Sequence, residues 1–185
     1  MVRNLQRWIL LLCWCSFVAA AAPPGVWLDV PFVKQERNGC GAASIAMVMQ
    51  YWQRQQGKAP ESGSDVGRIQ RALYSPEAHG IHASNLEGYL EGHGFRTFAF
   101  GGQWEDLKQH LEKGRPLIVA QQPGSRKLHY VVVVGLDLER SLVLVNDPAE
   151  RKLLRQGRAH FEREWRGAGN WTLLATPREG APSAR

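Results

Sequence analysis

The sequence predicts an α+β domain in which helices come first and strands joined in hairpins follow. Between residues 41 and 94, apolar residues recur at helical spacing in three segments. After residue 95, short β-branched and aromatic runs dominate, and only "LER" separates HYVVVVGLD from SLVLVND, which is typical of a hairpin. The 185 residues, 44% of them hydrophobic, can form one domain with a proper core but not two. We therefore predict one domain over residues 22–176 and a flexible tail over 177–185.

The first half of the domain is predicted to be helical. After an extended lead, VWLDVPFVKQ, a helix is expected over about residues 41–55, because Ala, Met and Gln favour helix and Gly57 provides a stop. A second helix is predicted in SDVGRIQRALY, with Ser64 as its N-cap. The loop YSPEAHGIHAS follows, and a third helix, SNLEGYLEGHG, is predicted to begin at Ser84 and end at Gly94.

The second half is predicted to be mainly strands. FRTFAFG alternates with period two and indicates a strand, whereas QWEDLKQHLEKG has the spacing of an amphipathic helix. The apolar run RPLIVAQQ and the predicted hairpin of HYVVVVGLD with SLVLVND come next, and WTLLATP closes the domain. These strands would provide an antiparallel sheet for the helices to pack against.

The N-terminus has the features of a signal peptide. Arg3 and Arg7 precede the apolar run WILLLCWCSFVA, and small residues follow it. Cleavage after Ala21 would leave Ala19 and Ala21 at the small-residue positions, and the apolar run is shorter than the roughly 20 residues that span a bilayer. We therefore expect residues 1–21 to be removed, leaving an exported protein, periplasmic or secreted, with no stable membrane span.

Signal cleavage changes the cysteine content. Cys13 and Cys15 would leave with the signal peptide, so Cys40 would be the only thiol and no intrachain disulfide could form. A lone thiol in an exported protein is either a small buried apolar residue or a reactive group. Composition alone leaves these two interpretations open.

Charge and ligand spacing argue against several other function classes. The formal net charge of +6 falls to +4 once Arg3 and Arg7 are removed, and basic residues are interleaved with acidic ones, which is not typical of a nucleic-acid groove. His79 and His82 lie close together, but no cysteine or acidic partner completes a metal-ligand set around them. We expect no nucleic-acid partner, no metal site and no cofactor.

The segment GCGAAS places Cys40 at a predicted helix start. A thiol attacks only as a thiolate, and the N–H groups and dipole of a helix N-terminus stabilise that anion. Gly39 and Gly41 would allow a substrate backbone to come close to the sulfur. Gln35, five residues before Cys40, could direct its amide toward an oxyanion that forms there.

A nucleophilic cysteine needs a base, and the base needs a group that orients it. Among the six histidines, His129 is the best candidate because it begins a strongly predicted strand. Asp147 ends the partner strand, so the hairpin would bring His129 close to Asp147 or to Asn146. Cys40, His129 and Asp147 are therefore the candidate catalytic residues.

Taken together, the segments PFVKQERNGCGAASIAMVMQYW, HYVVVVGLD and VNDPA resemble the papain-like bacteriocin-processing peptidases. This is the double-glycine leader peptidase family, family thirty-nine of the cysteine peptidases, and the resemblance is closer to its stand-alone exported members. It covers about residues 31–171. It implies a papain-like cysteine peptidase fold, with a cysteine at a helix start packed on an antiparallel sheet that carries a histidine and an aspartate.

The same resemblance implies a role for each matching residue. Cys40 would be the nucleophile, His129 the general base and then acid, Asp147 the residue that orients His129, and Gln35 an oxyanion-hole donor. The substrate would be a peptide or protein cleaved after Gly-Gly in a leader or secreted protein, and secretion-system components would be candidate partners. The loops YSPEAHGIHAS and QQPGSRK are predicted to form the walls of the cleft.

Two alternatives remain open from the sequence. A papain-like acyltransferase or cell-wall amidase would use the same Cys-His-Asp chemistry with a different acceptor. A catalytically inactive peptidase-like module would bind a peptide without cutting it. The presence of all four candidate residues favours an active enzyme over the inactive module.

Overall fold

The computed structural model of the protein describes residues 25–124 and 127–178. The predicted signal peptide, residues 1–21, lies outside these ranges. Among the described helices, none combines the length and the apolar character needed to cross a bilayer.

Five α-helices form within the described ranges. The second is preceded by a 3-10 turn, Ser62–Ser64. The helices are α1 (Cys40–Gln55), α2 (Val66–Leu73), α3 (Ala83–Gly92), α4 (Trp104–Glu112) and α5 (Arg158–Gly167).

Seven strands of the described chain form one antiparallel sheet. Six of them lie in the order β2-β7-β3-β4-β5-β6, and the seventh, β1, pairs with the C-terminal end of β4. The strands are β1 (Gly25–Trp27), β2 (Phe95–Gly101), β3 (Leu117–Gln121), β4 (His129–Asp137), β5 (Leu142–Asn146), β6 (Leu154–Gly157) and β7 (Trp171–Pro177). The observed mixture of helices and an antiparallel sheet confirms the predicted α+β class.

Helices cover both faces of the sheet, and β4 shows why its sequence is continuously apolar. Successive side chains of a strand point to opposite faces. Val132 and Val134 face the core that α1 fills, whereas Val131 and Val133 face the core beneath α4 and α5. Both faces of β4 are therefore buried. On the α1 face, the hydroxyl of Ser44 also donates a hydrogen bond to the carbonyl of Tyr130 (3.4 Å) and joins α1 to β4.

Two predicted helix starts differ from the structure. The N-cap of α2 is Asp65, whose side chain accepts a hydrogen bond from the backbone N–H of Arg68 (2.7 Å). The hydroxyl of Ser64, predicted to be the cap, instead lies within hydrogen-bond distance of the carbonyl of Glu61 (2.8 Å) and of Gln53 Oε1 (3.0 Å), because the 3-10 turn carries Ser64 into the core. Helix α3 begins at Ala83 rather than at Ser84.

Two elements, β6 and α5, were not predicted. The segment that forms them is rich in charged residues, which interrupt the apolar periodicity by which a helix or strand is predicted. Phe161 and Trp165, four residues apart on α5, are both buried and supply the i, i+4 pair that could have indicated a helix. Helix α5 consequently covers the second face of the sheet, and β6 extends the β4–β5 hairpin.

The last strand closes the sheet between two earlier ones. Strand β7 lies between β2 and β3, and its final residue, Pro177, pairs with Phe95. The backbone N–H of Arg178 then donates to the carbonyl of Gly94 (2.9 Å). The sheet contacts therefore continue two residues past the predicted domain boundary at 176, and residues 179–185 of the predicted tail lie outside the described chain.

Candidate active site

Cys40 is the first residue of α1, as the sequence predicts, and its side chain is half-buried. Gly39 is the N-cap residue and makes no side-chain cap, so no side-chain oxygen competes with the sulfur for the first N–H groups of the helix. The backbone N–H groups of Gly41 and Tyr130 both stabilise the thiolate. Packing of α1 on β4 thus brings a second chain segment to the sulfur of Cys40.

The imidazole of His129 lies between Cys40 and Asp147. Its Nε2 is 2.8 Å from Asp147 Oδ1, which leaves Nδ1 as the ring nitrogen that can exchange a proton with the thiol. Asp147 Oδ1 also accepts hydrogen bonds from the backbone N–H groups of Ala149 (2.9 Å) and Glu150 (3.3 Å). The carboxylate is therefore held in place by its own turn and is not free to rotate away from the ring.

Asn146, the other sequence candidate for the partner of His129, has a different position. It is fully buried, its Nδ2 donates to the carbonyl of Val30 (3.2 Å), and its Oδ1 accepts from the N–H of Leu153 (3.0 Å). Of the two candidates, only Asp147 meets the imidazole.

Burial and mutual charge shift the pKa values of all three groups. Burial raises the pKa of the Cys40 thiol, but the contact with His129 and the N–H groups of Tyr130 and Gly41 outweigh it, so that the net pKa lies below its usual value. Burial lowers the pKa of His129, but Asp147 and Cys40 outweigh it and raise this pKa to about 10. Burial raises the pKa of Asp147, but the hydrogen bond and charge of His129 outweigh burial, so that the net pKa lies below its usual value. These directions favour a thiolate beside an imidazolium at neutral pH.

Gln35 lines the same cavity as Cys40, and its backbone N–H donates to the carbonyl of Pro148 (3.0 Å). This bond joins the segment before the nucleophile to the turn that holds Asp147. The side-chain Oε1 of Gln35 is buried and has no hydrogen-bond partner within the described chain.

A cavity of about 930 Å³ opens over these four side chains. Described residues of both loops that the sequence predicts as cleft walls line it, among them His79 and His82 from YSPEAHGIHAS and Pro123 and Lys127 from QQPGSRK. The arrangement leaves room for an extended peptide above the sulfur. Sequence reasoning missed Tyr130, whose N–H reaches the sulfur from β4, because a backbone contact leaves no trace in side-chain chemistry.

The two glycines beside Cys40 have a different role from the predicted one. Both are buried, and a Cβ atom on Gly41 would lie 3.2 Å from Ile81 Cβ. A Cβ atom on Gly39 would lie 3.1 Å from the carbonyl oxygen of Glu36. Their missing side chains therefore allow Ile81 and Glu36 to pack close to the backbone around Cys40, and do not leave room for substrate.

Among the described residues, no group of three or more His, Cys, Asp or Glu side chains is placed to hold a metal ion. His79 and His82 belong to the cavity wall.

Several solved structures share this architecture. The peptidase domain of Streptococcus ComA, a bifunctional ABC transporter, aligns with a TM-score of 0.63 at 21% identity, covering 80% of this chain and 98% of that one. A double glycine motif protease of an AMS/PCAT transporter, solved with its leader peptide, aligns with a TM-score of 0.62 at 23% identity over 83% and 95% of the two chains. Xylellain, a cysteine protease of Xylella fastidiosa, aligns with a TM-score of 0.56 at 12% identity over 86% and 88%. The fold is that of the papain-like cysteine peptidases.

The family follows from the sequence itself. Residues 27–172 match the model of the Peptidase_C39 like family, so the chain belongs to this family and is a cysteine-type peptidase. No curated protein sequence matches the chain.

Proposed function

We propose that the protein is an exported peptidase that hydrolyses peptide bonds with Cys40 as nucleophile, His129 as general base and acid, and Asp147 as the residue that orients His129. The observation that carries this proposal is the position of the His129 ring: Nε2 lies 2.8 Å from Asp147 Oδ1. The interaction of the same ring with the Cys40 thiol, which shifts the pKa of both groups, supports it. The pKa shifts of the thiol and the imidazole support it, because both favour a thiolate beside an imidazolium, and the thiolate is the form of cysteine that attacks a carbonyl.

In the first step, the Cys40 thiolate attacks the carbonyl carbon of the scissile bond, and the carbonyl oxygen takes the negative charge. The His129 imidazolium then gives its proton to the leaving amine, the C–N bond breaks, and a thioester remains on Cys40. In the second step, neutral His129 takes a proton from water, the hydroxide attacks the thioester, and the acid product leaves while the thiolate is restored.

Gln35 supplies the oxyanion donor in this mechanism. Gln35 lines the cavity together with Cys40, and the hydrogen bond from its backbone N–H to the carbonyl of Pro148 fixes its backbone. The amide NH₂ of Gln35 and the backbone N–H of Cys40 would stabilise the developing negative charge, which preorganised donors do at little reorganisation cost. Replacement of such a donor typically costs about 100- to 1,000-fold in kcat.

The substrate is a peptide or protein, cut after Gly-Gly in a leader or secreted protein. Family membership supports this, together with the likeness to a double glycine motif protease solved with a leader peptide. The close contact of Ile81 with Gly41 also supports small residues next to the cut, because it brings the cavity wall up to the residue after the nucleophile.

Export rests on the N-terminal sequence. Arg3 and Arg7 ahead of an apolar run, with alanines after it, support cleavage after Ala21 and a periplasmic or secreted mature protein. N-terminal sequencing of the protein from whole cells and from the periplasmic fraction tests this, and a mature chain that still begins at Met1 would contradict it. A secretion-system component remains the candidate partner.

Mass spectrometry of a peptide pool tests the reaction. Wild-type protein and Cys40→Ala are each incubated with peptides that contain Gly-Gly and with scrambled controls, and circular dichroism checks that the variant is folded. Cuts after Gly-Gly made only by the wild type are the expected result. Equal cutting by Cys40→Ala would refute the proposed nucleophile.

If the wild type makes no cuts, the rate at which iodoacetamide alkylates Cys40 at neutral pH separates the alternatives. A fast-reacting thiol would point to acyl transfer or amidase chemistry, and a slow one to a peptide-binding module.

A further inference from the structure

The cavity wall that carries His79 is a turn closed on itself. Ser75 and Gly80 exchange backbone hydrogen bonds (2.8 and 3.3 Å), and the hydroxyl of Ser75 accepts from the N–H of Ala78 (3.3 Å). The N–H of His79 donates to the carbonyl of Pro76 (3.2 Å). These bonds fix the backbone of the turn before any substrate arrives.

Ile81 attaches this turn to the nucleophile helix. It is only 5% exposed and packs into the space left by the missing side chain of Gly41, the residue after Cys40. The position of the wall relative to the sulfur is therefore set by a buried contact, and not by a free loop.

His79 itself has an unfavourable backbone conformation. Its φ is +46°, in the left-handed region, where a Cβ atom costs energy and glycine is preferred. Its side chain is exposed and lines the cavity, and its ring makes no hydrogen bond or ion pair with any residue of the described ranges. The fold thus bears a backbone cost for a side chain that contributes no polar contact to it.

We propose that His79 is a substrate-binding residue, whose imidazole donates a hydrogen bond to an acceptor oxygen of the bound peptide. Strained residues persist where the surrounding structure enforces them, and they cluster at binding sites. His79 lies two residues before Ile81, so the Cα atoms of the two residues are at most about 7 Å apart, and the His79 ring lies on the cavity wall close to the contact beside Cys40. That distance corresponds to roughly two residues of an extended substrate. This inference rests on the proposed peptidase function and adds a residue that binds the substrate peptide close to the scissile bond.

A glycine substitution separates binding from stability. His79→Gly removes the ring and the backbone strain together, so we expect an unchanged or higher Tm. Ser141→Gly is the matched control, since Ser141 is exposed with φ of +51° and lies outside the cavity. We expect KM for a cleaved peptide to rise roughly 5- to 10-fold in His79→Gly, the loss of one hydrogen bond, and to stay unchanged in Ser141→Gly. The kcat and the alkylation rate of Cys40 should stay at wild-type values in both.

His79→Asn tests the chemistry, because asparagine tolerates the left-handed region and its amide can donate a hydrogen bond. Partial recovery of KM in this variant is the expected result. A KM in His79→Gly equal to that of the wild type, or a loss of kcat matched by a lower Tm, would overturn the proposal while leaving the peptidase mechanism intact.

Binding can also be measured without turnover. Fluorescence anisotropy gives Kd for a fluorescein-labelled Gly-Gly peptide with Cys40→Ala and with Cys40→Ala/His79→Gly. A Kd raised roughly 5- to 10-fold in the double variant supports His79 even if the wild type were to cut nothing, in which case only the proposed reaction fails. Equal Kd values overturn the role of His79.

Discussion

Substitution of Asp147 by asparagine removes one negative charge from the site and leaves most of its geometry. Asp147 Oδ1 accepts three hydrogen bonds, two from backbone N–H groups of its own turn and one from His129 Nε2. An asparagine carbonyl can accept all three, so the turn and the orientation of the imidazole should persist. What changes is the charge that keeps His129 protonated.

The magnitude follows from the bond between the carboxylate and the ring. A hydrogen bond to a charged group contributes about 1.5–3 kcal/mol and a neutral one about 0.5–1.5 kcal/mol. The difference of about 1–1.5 kcal/mol corresponds to roughly 10-fold in an equilibrium or a rate. Asp147→Asn should therefore lower kcat/KM by roughly 10-fold.

The same variant should change the ionisation of the nucleophile. Loss of the carboxylate weakens the imidazolium that stabilises the Cys40 thiolate, so the pKa of the thiol should rise from its lowered value. The rate of iodoacetamide alkylation against pH measures this pKa directly, and the acid limb of the profile should move to higher pH.

Asp137→Asn is the matched control for this experiment. Asp137 ends the same strand that His129 begins, and its carboxylate also accepts from a backbone N–H and a charged side chain, both of Arg140. It lies outside the cavity, so neither kcat/KM nor the alkylation profile should change. If Asp147→Asn behaved like Asp137→Asn in both assays, the assignment of Asp147 as the orienting residue would be refuted.

Three further predictions concern the site and the structure that supports it. As pH rises through about 10, His129 loses its proton, so kcat should fall along an alkaline limb because no acid remains for the leaving amine, whereas alkylation of the thiolate should not fall; a flat kcat between pH 8 and 11 would contradict this. Gly41→Ala should destabilise the fold by about 1 kcal/mol in urea unfolding, because its Cβ atom would crowd Ile81, and an unchanged unfolding midpoint would show that the wall moves freely. Asn146→Ala should cost about 1–3 kcal/mol per backbone group it leaves unpaired, seen as a lower unfolding midpoint, and an unchanged midpoint would mean that water replaces the amide.

Local sequence patterns anticipated much of the site. The helix start at Cys40 and the strand that begins at His129 follow from propensity and periodicity, and both occur as predicted. A short connection forces β4 and β5 to pair, and the hairpin alone brings Asp147 to the level of His129. The hairpin alone left Asn146 as a second candidate beside Asp147, because either side chain can accept a hydrogen bond, and the structure places only Asp147 against the imidazole.

The role of the glycines illustrates a different limit. Beside a nucleophile, a missing side chain can serve a substrate or a neighbouring segment, and the sequence does not say which one approaches. Ile81, far along the chain, occupies the space at Gly41. The backbone strain at His79 likewise depends on a turn that only the exchange of bonds between Ser75 and Gly80 closes.

The sequence by itself determined the class of fold, the family and the residue types of the site, because these depend on composition, periodicity and short-range pairing. Only the tertiary structure decided that β7 lies between β2 and β3, that α5 covers the second face, and that α1 packs on β4 so that the thiol of Cys40 meets His129. The physical reason is range. A hairpin or a helix start is stabilised by neighbours in the chain, whereas these contacts join distant segments and form because each buries an apolar face that no local partner could cover.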